Sequence, residues 1–350
     1  MSRGGNQGEF GATESRCRSA RAVHGRCGPG GRRFRADRVA GGQRPVERGR
    51  RHPRARAGGD ASRWLPAQQR RPRPLPRFRT IGVIVSSLST FGNSRTLDAI
   101  AAAVVDQDFS IVLMTVPRST QGEVTGAFSR LGEQAVDGVI ILIEQHQLDR
   151  NEIELPRGLP VVVIDSSARH PSPVIDTDQA EGAASATRHL LELGHSTVWH
   201  IAGPPQSYAA ERRLKSWQAV LEAAGRPVPP VLVGDWSAAS GYAHGQRLAA
   251  DPSVTAVFAA NDQMALGLIR ALHEAGRDVP GQVSVVGFDD MAEAAHFWPP
   301  LTTVRQSFDD VGRHAVAALV GEITNDRREP AAVRIPTELV IRSSTAPPPK

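Results

Sequence analysis

The segments AVFAANDQMALGLIRALHEAG (256–276), VSVVGFDD (283–290) and PPLTTVRQSF (299–308) decide the fold. A short β-rich apolar run, a polar tip and an amphipathic helix are followed by another apolar run, an acidic tip and a crossover. Asn261, Asp262, Asp289 and Asp290 thereby fall at the carboxyl ends of two strands. In open α/β sheets small ligands bind at that edge.

The alternation extends in both directions. Toward the N-terminus, TIGVIVSS (80–87), IVLMTV (111–116), VDGVIILI (136–143), PVVVID (160–165) and PVIDTD (173–178) read as buried strands. Between and after them, SRTLDAIAAAVVDQ (94–107), EVTGAFSRLGEQ (123–134) and AEGAASATRHLLELG (180–194) carry apolar residues at helical spacing. A second round begins with TVWHIAGP (197–204) and continues through AAERRLKSWQAVLEAAG (209–225), VPPVLVGD (228–235) and SGYAHGQRLAA (240–250) into the segment quoted first. A last helix is DDVGRHAVAALVGEI (309–323). Strands alternating with helices at this spacing predict α/β architecture: two doubly wound parallel-sheet lobes.

The first 80 residues differ in kind. They hold 21 Arg, no Lys and five acids, whereas the remaining 270 hold 21 Lys and Arg against 31 acids. The sequence pI near 10.2 therefore describes a tail, and the folded part is acidic. Residues 1–78 lack apolar periodicity and are expected to be disordered. Both cysteines, Cys17 and Cys27, lie in that tail, so no disulfide or Cys metal site is expected beyond it. There is no apolar run of membrane-spanning length and no secretion signal, so a cytoplasmic protein without membrane contact is expected.

No GxGxxG follows the first strand, and there is no P-loop, no GxSxG and no His pair at metal spacing. The expectation is a binding protein, not an enzyme, with no cofactor and no metal. A sugar presents hydroxyls around an apolar face, so its site needs bidentate polar partners and an aromatic surface. The strand ends supply such groups: Asp178 after PVIDT, Arg213 in ERRLKSW, Trp236 after VLVGD, Asn261 after VFAA and Asp289 after VVGF. Gln306 and Phe308 stand at a crossover. Each has a plainer alternative. Arg213 could pair with Glu211 or Glu222 on a helix surface, Asp178 could be an N-cap, and Trp236 could pack at a lobe edge.

Residues 79–345 resemble the effector-binding core of the LacI/GalR family of bacterial regulators. LELGHSTVWHIAGP (191–204) matches the family's LxLGHxxIAxLxGP segment, and GDWSAASGY (234–242), ANDQMALG (260–267) and PPLTTVRQ (299–306) are similar to family segments. SSLSTFGNSRTL (86–97) resembles the first strand-to-helix loop, which touches the effector in that family. The resemblance implies a periplasmic-binding-protein-like fold of type I, with lobes at 79–193 and 194–303. A return to the first lobe would occupy 304–335 and a return to the second 336–350. Crossings would fall near Gly194, Thr303 and Pro336. It implies an effector, galactoside-like, held by Ser86, Phe91, Asp178, Arg213, Trp236, Asn261, Asp289 and Phe308. It also implies a homodimeric repressor that couples effector binding allosterically to operator DNA. A solute-binding protein for sugar uptake is the rival with the same lobes.

The family carries a helix-turn-helix before this core, and residues 1–78 do not resemble one. A one-nucleotide forward shift, however, lets His24–Arg44 be back-translated as MADVARAAGVSAQTVSRVVNG, a family-like start. Tight positions agree: where the next arginine has a codon beginning with C, Phe34 admits only Ser or Phe, and Gln43 only Asn or Ser. Residues from about 24 to 74 are therefore expected to be an out-of-frame reading of the DNA-binding domain. Specific DNA recognition by the polypeptide as written is then doubtful.

Overall fold

The computed structural model describes residues 78–143, 158–165, 172–325 and 332–350, all within one compact unit, Arg70–Lys350. The basic tail expected at 1–78 and its out-of-frame reading lie, Phe78 apart, outside the described residues.

Twelve strands and seven α-helices form two layered lobes among these residues. The first sheet contains β1 (Thr80–Val85), β2 (Ser110–Thr115), β3 (Gly138–Leu142), β4 (Val161–Ile164), β5 (Val174–Thr177) and β11 (Ala332–Ile335). Its order is β11-β5-β4-β3-β1-β2, and every pairing is parallel. The second contains β6 (Trp199–Ala202), β7 (Leu232–Val233), β8 (Ala256–Ala259), β9 (Ser284–Asp289), β10 (Thr302–Gln306) and β12 (Thr337–Val340). Its order is β12-β10-β9-β8-β6-β7, with β12 antiparallel to β10.

Both sheets share one logic. Apart from the added last strand, each repeats the 2-1-3-4-5 order of doubly wound folds. Helices cover both faces, so the central strands are apolar without alternation: GVIIL, VVVI and AVFA are buried throughout. In the first lobe α1 (Phe91–Asp106) and α7 (Phe308–Asn325) cover one face and α2 (Gln121–Glu133) the other. In the second, α5 (Ala238–Ala249) and α6 (Asp262–Glu274) lie on one face, and α3 (Gln179–Glu192) and α4 (Tyr208–Ala223) on the other. Helices α5 and α6 cross very closely. A Cβ on Gly267 would stand 1.9 Å from the Ala238 carbonyl oxygen.

Two crossings differ from the expected positions. Helix α3 does not belong with the first sheet. Ala183, Ala186 and Leu190 join Trp217, Phe258 and Phe288 in the core of the second lobe. Burying such side chains stabilises by about 1.5–3 kcal/mol for each large one, so the chain changes lobes at Asp178, not near Gly194. The second crossing is later than Thr303, because β10 pairs with β9 and β12 as far as Arg305 and Gln306. The chain then turns at Ser307 into α7, whose Val311, Ala315, Leu319 and Ile323 pack in the first lobe. The third passage lies at Pro336, between β11 and β12.

Candidate functional site

The carboxyl ends of both sheets face one cleft of about 430 Å³, counted out to its mouth. Thr90, Phe91, Gly92 and Thr96 line it from the loop after β1 and the first two turns of α1, and Asp165 from the end of β4. The second lobe presents Ala209 and Arg213 from α4, Trp236 after β7, Asn261 after β8 and Asp289 at the end of β9. Gln179, Gln306 and Phe308 stand where the chain crosses between lobes.

The floor is a closed polar ring. Arg213 Nε donates to Gln179 Oε1 at 2.8 Å, and Gln179 Nε2 donates to Gln306 Oε1 at 3.0 Å. Gln306 Nε2 donates to Asp289 Oδ1 at 2.7 Å, and that oxygen lies 3.7 Å from Arg213 Nη2. All four side chains are buried. Arg213 Nη1 also donates to the Ala260 carbonyl, and the guanidinium lies over the Phe288 ring, 3.7 Å from its centroid. With every polar partner fixed, the ring holds its charges in one arrangement and exposes their edges to the cleft. Burial nevertheless dominates Asp289: it pushes the carboxyl up to about 6, while Arg213 and the Gln306 amide pull the other way. Asp165 is also raised by burial, opposed by Arg213.

The walls are aromatic. Phe91 and Phe308 meet edge to face at 5.8 Å, each at the start of a first-lobe helix. From the second lobe, Trp236 lies against the backbone of Gly203, where a Cβ would stand only 2.2 Å from the indole. Trp236, Asp165 and Asp289 all have positive φ, at 74°, 55° and 117°. L-residues seldom adopt this conformation, and it gathers where backbone strain is held for function. Asn261 is fixed at both ends: Oδ1 caps α6 by accepting from Met264 N at 2.9 Å, and Nδ2 donates to Trp236 O at 3.0 Å.

Six of the eight residues expected at the site line the cleft: Phe91, Arg213, Trp236, Asn261, Asp289 and Phe308. Ser86 does not. Its N–H donates to the Leu142 carbonyl, and its Oγ accepts from Asn93 Nδ2 at 3.4 Å. Asp178 caps α3, its Oδ1 accepting from Glu181 N at 3.1 Å, which is the plainer alternative for that residue. Of the other strand-end acids, Asp262 binds Thr303 Oγ1 and Met291 N, and Asp290 takes Arg305 and Arg342. Sequence reasoning missed Asp165 and Gln179 and gave Gln306 no role. Asp165 had the same signal as the others, an acid closing an apolar strand. Nothing local marks Gln179, whose partners are 34 and 127 residues away. Among the described residues no cluster of His, Cys, Asp or Glu could hold a metal ion, and no helix is long and apolar enough to cross a membrane.

Comparison with known proteins follows the same lines. A model of the periplasmic binding protein-like domain matches residues 187–345. The lactose operon repressor of Klebsiella pneumoniae is 31% identical over 271 residues, covering 77% of this chain and 76% of that protein. The HTH-type transcriptional regulator CelR of Thermobifida fusca is 35% identical over 256 residues, covering 70% and 73%. Among solved structures, a dimeric Lac repressor with a C-terminal deletion superposes with a TM-score of 0.71 at 32% identity, covering 77% of this chain and all of that one. A complex of the regulator CelR with cellobiose gives 0.70 at 32% identity, covering 77% and 85%. The two interleaved lobes, the cleft at their strand ends and the kinship in sequence lead to one assignment: this chain belongs to the LacI/GalR family of transcriptional regulators.

Proposed function

We propose that residues 79–350 form the effector-sensing core of a transcriptional repressor and that the effector is a neutral, galactoside-like sugar. The observation that carries this reading is the buried ring of Arg213, Gln179, Gln306 and Asp289 beneath a cleft walled by Trp236, Phe91 and Phe308. Fixed donors and acceptors suit vicinal hydroxyls, and the aromatic rings suit the apolar face of a pyranose. Asp165 and Asp289 against a single Arg213 leave no surplus positive charge in the cleft for a phosphate or a carboxylate. Ligands of relatives point the same way: the Lac repressor binds ONPG and the regulator CelR binds cellobiose.

Sugar binding would bias the angle between the lobes, and a dimer would convey that bias to operator DNA. Dimeric forms and operator complexes are known for the Lac repressor. The same kinship supports the reading of this protein as a cytoplasmic homodimer, and it disfavours the solute-binding alternative. Calorimetry with galactosides, glucosides, cellobiose and purines tests the effector class. Saturable binding of a sugar, lost in Asp289→Ala, is expected. Binding of a purine in place of every sugar would overturn the assignment.

A further inference from the structure

The polar ring under the cleft has a direction. Arg213 can only donate hydrogen bonds, and an ionised Asp289 can only accept them. Between these ends stand two primary amides, each able to do both. Gln179 Oε1 accepts from Arg213 Nε, Gln179 Nε2 donates to Gln306 Oε1, and Gln306 Nε2 donates to Asp289 Oδ1. All four side chains are buried. Turning either amide over would set donor against donor or acceptor against acceptor, which is costly in a buried site. The two ends therefore dictate how both glutamines point.

Gln179 also has a special place in the fold. It opens α3, one residue after the chain leaves the first lobe at Asp178, and Gln306 closes β10, one residue before the chain returns at Ser307. The third passage between lobes meets the first at the same point. Asp178 N donates to the Ile335 carbonyl at 2.8 Å, and Thr337 Oγ1 donates to the Asp178 carbonyl at 3.3 Å. Asp178 caps α3, so both side-chain bonds of Gln179 belong to the ring. The amide pair thus joins two passages between lobes and ties them to Arg213, the cation of the cleft floor.

We propose that Gln179 is a positioning residue for effector recognition: it holds the Arg213 guanidinium and sets the direction of every hydrogen bond beyond it in the ring. This rests on the effector cleft described above. In this direction both amide oxygens are engaged within the ring, each amide keeps one N–H outside it, and Asp289 keeps one oxygen outside it. Gln179, Gln306, Arg213 and Asp289 all line the cleft, so the floor meets a ligand with donors along its length and an acceptor at the Asp289 end. A pair of neighbouring hydroxyls fits this polarity. One oxygen accepts from an amide, and the other hydroxyl donates to Asp289.

The test uses the full chain in two arms. The first, without ligand, moves the carboxylate from one end of the amide pair to the other. In Gln179→Glu the new side chain still accepts from Arg213 but has no donor for Gln306 Oε1, and turning Gln306 over only moves the clash to Asp289. Adding Asp289→Asn lets Gln306 turn over, donate to the carboxylate at 179 and accept from the introduced amide, so the ring is whole with its direction reversed. Urea unfolding at about pH 8 keeps the carboxylates ionised. Gln179→Glu should lower the midpoint, and the double variant should recover about half of that loss or more. Gln179→Glu with Asp165→Asn removes the other cleft carboxylate that faces Arg213 but completes no ring, and it should recover little. Equal recovery in both double variants, or none in either, overturns the proposal. The second arm is calorimetry with lactose and with cellobiose. Gln179→Met should weaken binding about tenfold. Ser216→Ala, which breaks the adjoining bond from Ser216 Oγ to the Ala180 carbonyl, should leave the Kd unchanged. An unchanged Kd in Gln179→Met, or an equal loss in Ser216→Ala, overturns the positioning role. If neither sugar binds the wild type, the choice of effector fails, while the ligand-free arm still decides the direction of the ring.

Discussion

Replacing Arg213 by Met keeps most of the side-chain volume and deletes the guanidinium. The ring then loses its donor to Gln179 Oε1, and the Ala260 carbonyl and Asp289 lose a partner. Breaking a buried ion pair by removing one member typically costs about 3–5 kcal/mol. The lower end is expected here, because Asp289 has an escape. Its carboxyl is at about 6 with Arg213 present; without that cation it rises further and takes up a proton near neutral pH. A loss of about 3 kcal/mol shifts the thermal midpoint of a domain this size by on the order of 10 °C.

Urea unfolding without sugar is the assay, because it separates the ring's contribution to stability from its contribution to binding. Arg213→Met, Asp289→Asn and the double variant complete a cycle. The double variant should be more stable than the sum of the two losses implies, by at least about 1 kcal/mol. If the single losses simply add and Arg213→Met costs less than about 0.5 kcal/mol, the ring is not a coupled unit. The account of the cleft floor would then be wrong.

Other expectations follow from the same geometry. Asp289 has a folded-state value of about 6 against an ordinary 3.8, so the folded state holds its proton more tightly than the unfolded state does. The stability it contributes is complete below about pH 4 and is lost as pH rises through 6, a difference of about 3 kcal/mol. Comparing urea midpoints at the two ends, wild type should lose more stability on this rise than Asp289→Asn; parallel profiles would refute the assignment. Gly203→Ala would drive a methyl into the Trp236 indole, whose nearest atom stands 2.2 Å from the new Cβ. Sugar affinity should fall about tenfold by calorimetry, and an unchanged Kd would remove Trp236 from the binding wall. Gly267→Ala should cost about 1–3 kcal/mol by forcing α6 off the Ala238 carbonyl, read as a lower Tm. No change would show that the helix crossing has slack.

Much of this molecule was legible along the chain, and for a physical reason. Strands covered on both faces must be apolar throughout, so VVVI and AVFA announce themselves, and polar residues closing such runs stand at the sheet edge where ligands bind. That reasoning reached Asn261, Asp289 and Trp236. The lobe to which α3 belongs was not legible in the same way. Amphipathicity states which face of a helix is buried but not which sheet buries it, and Ala183, Ala186 and Leu190 suit either. The β10 crossing is similar, since Thr302–Gln306 reads as a strand wherever it pairs.

The sequence by itself determined the alternation of strands and helices, the two wound lobes and the polar strand tips, because these depend on the period and the chemistry of neighbouring residues. Only the tertiary structure decided that Gln179 and Gln306 would close a ring with Arg213 and Asp289. Those partners are far apart along the chain, and a buried hydrogen bond is set by where the backbone brings its ends rather than by any local pattern.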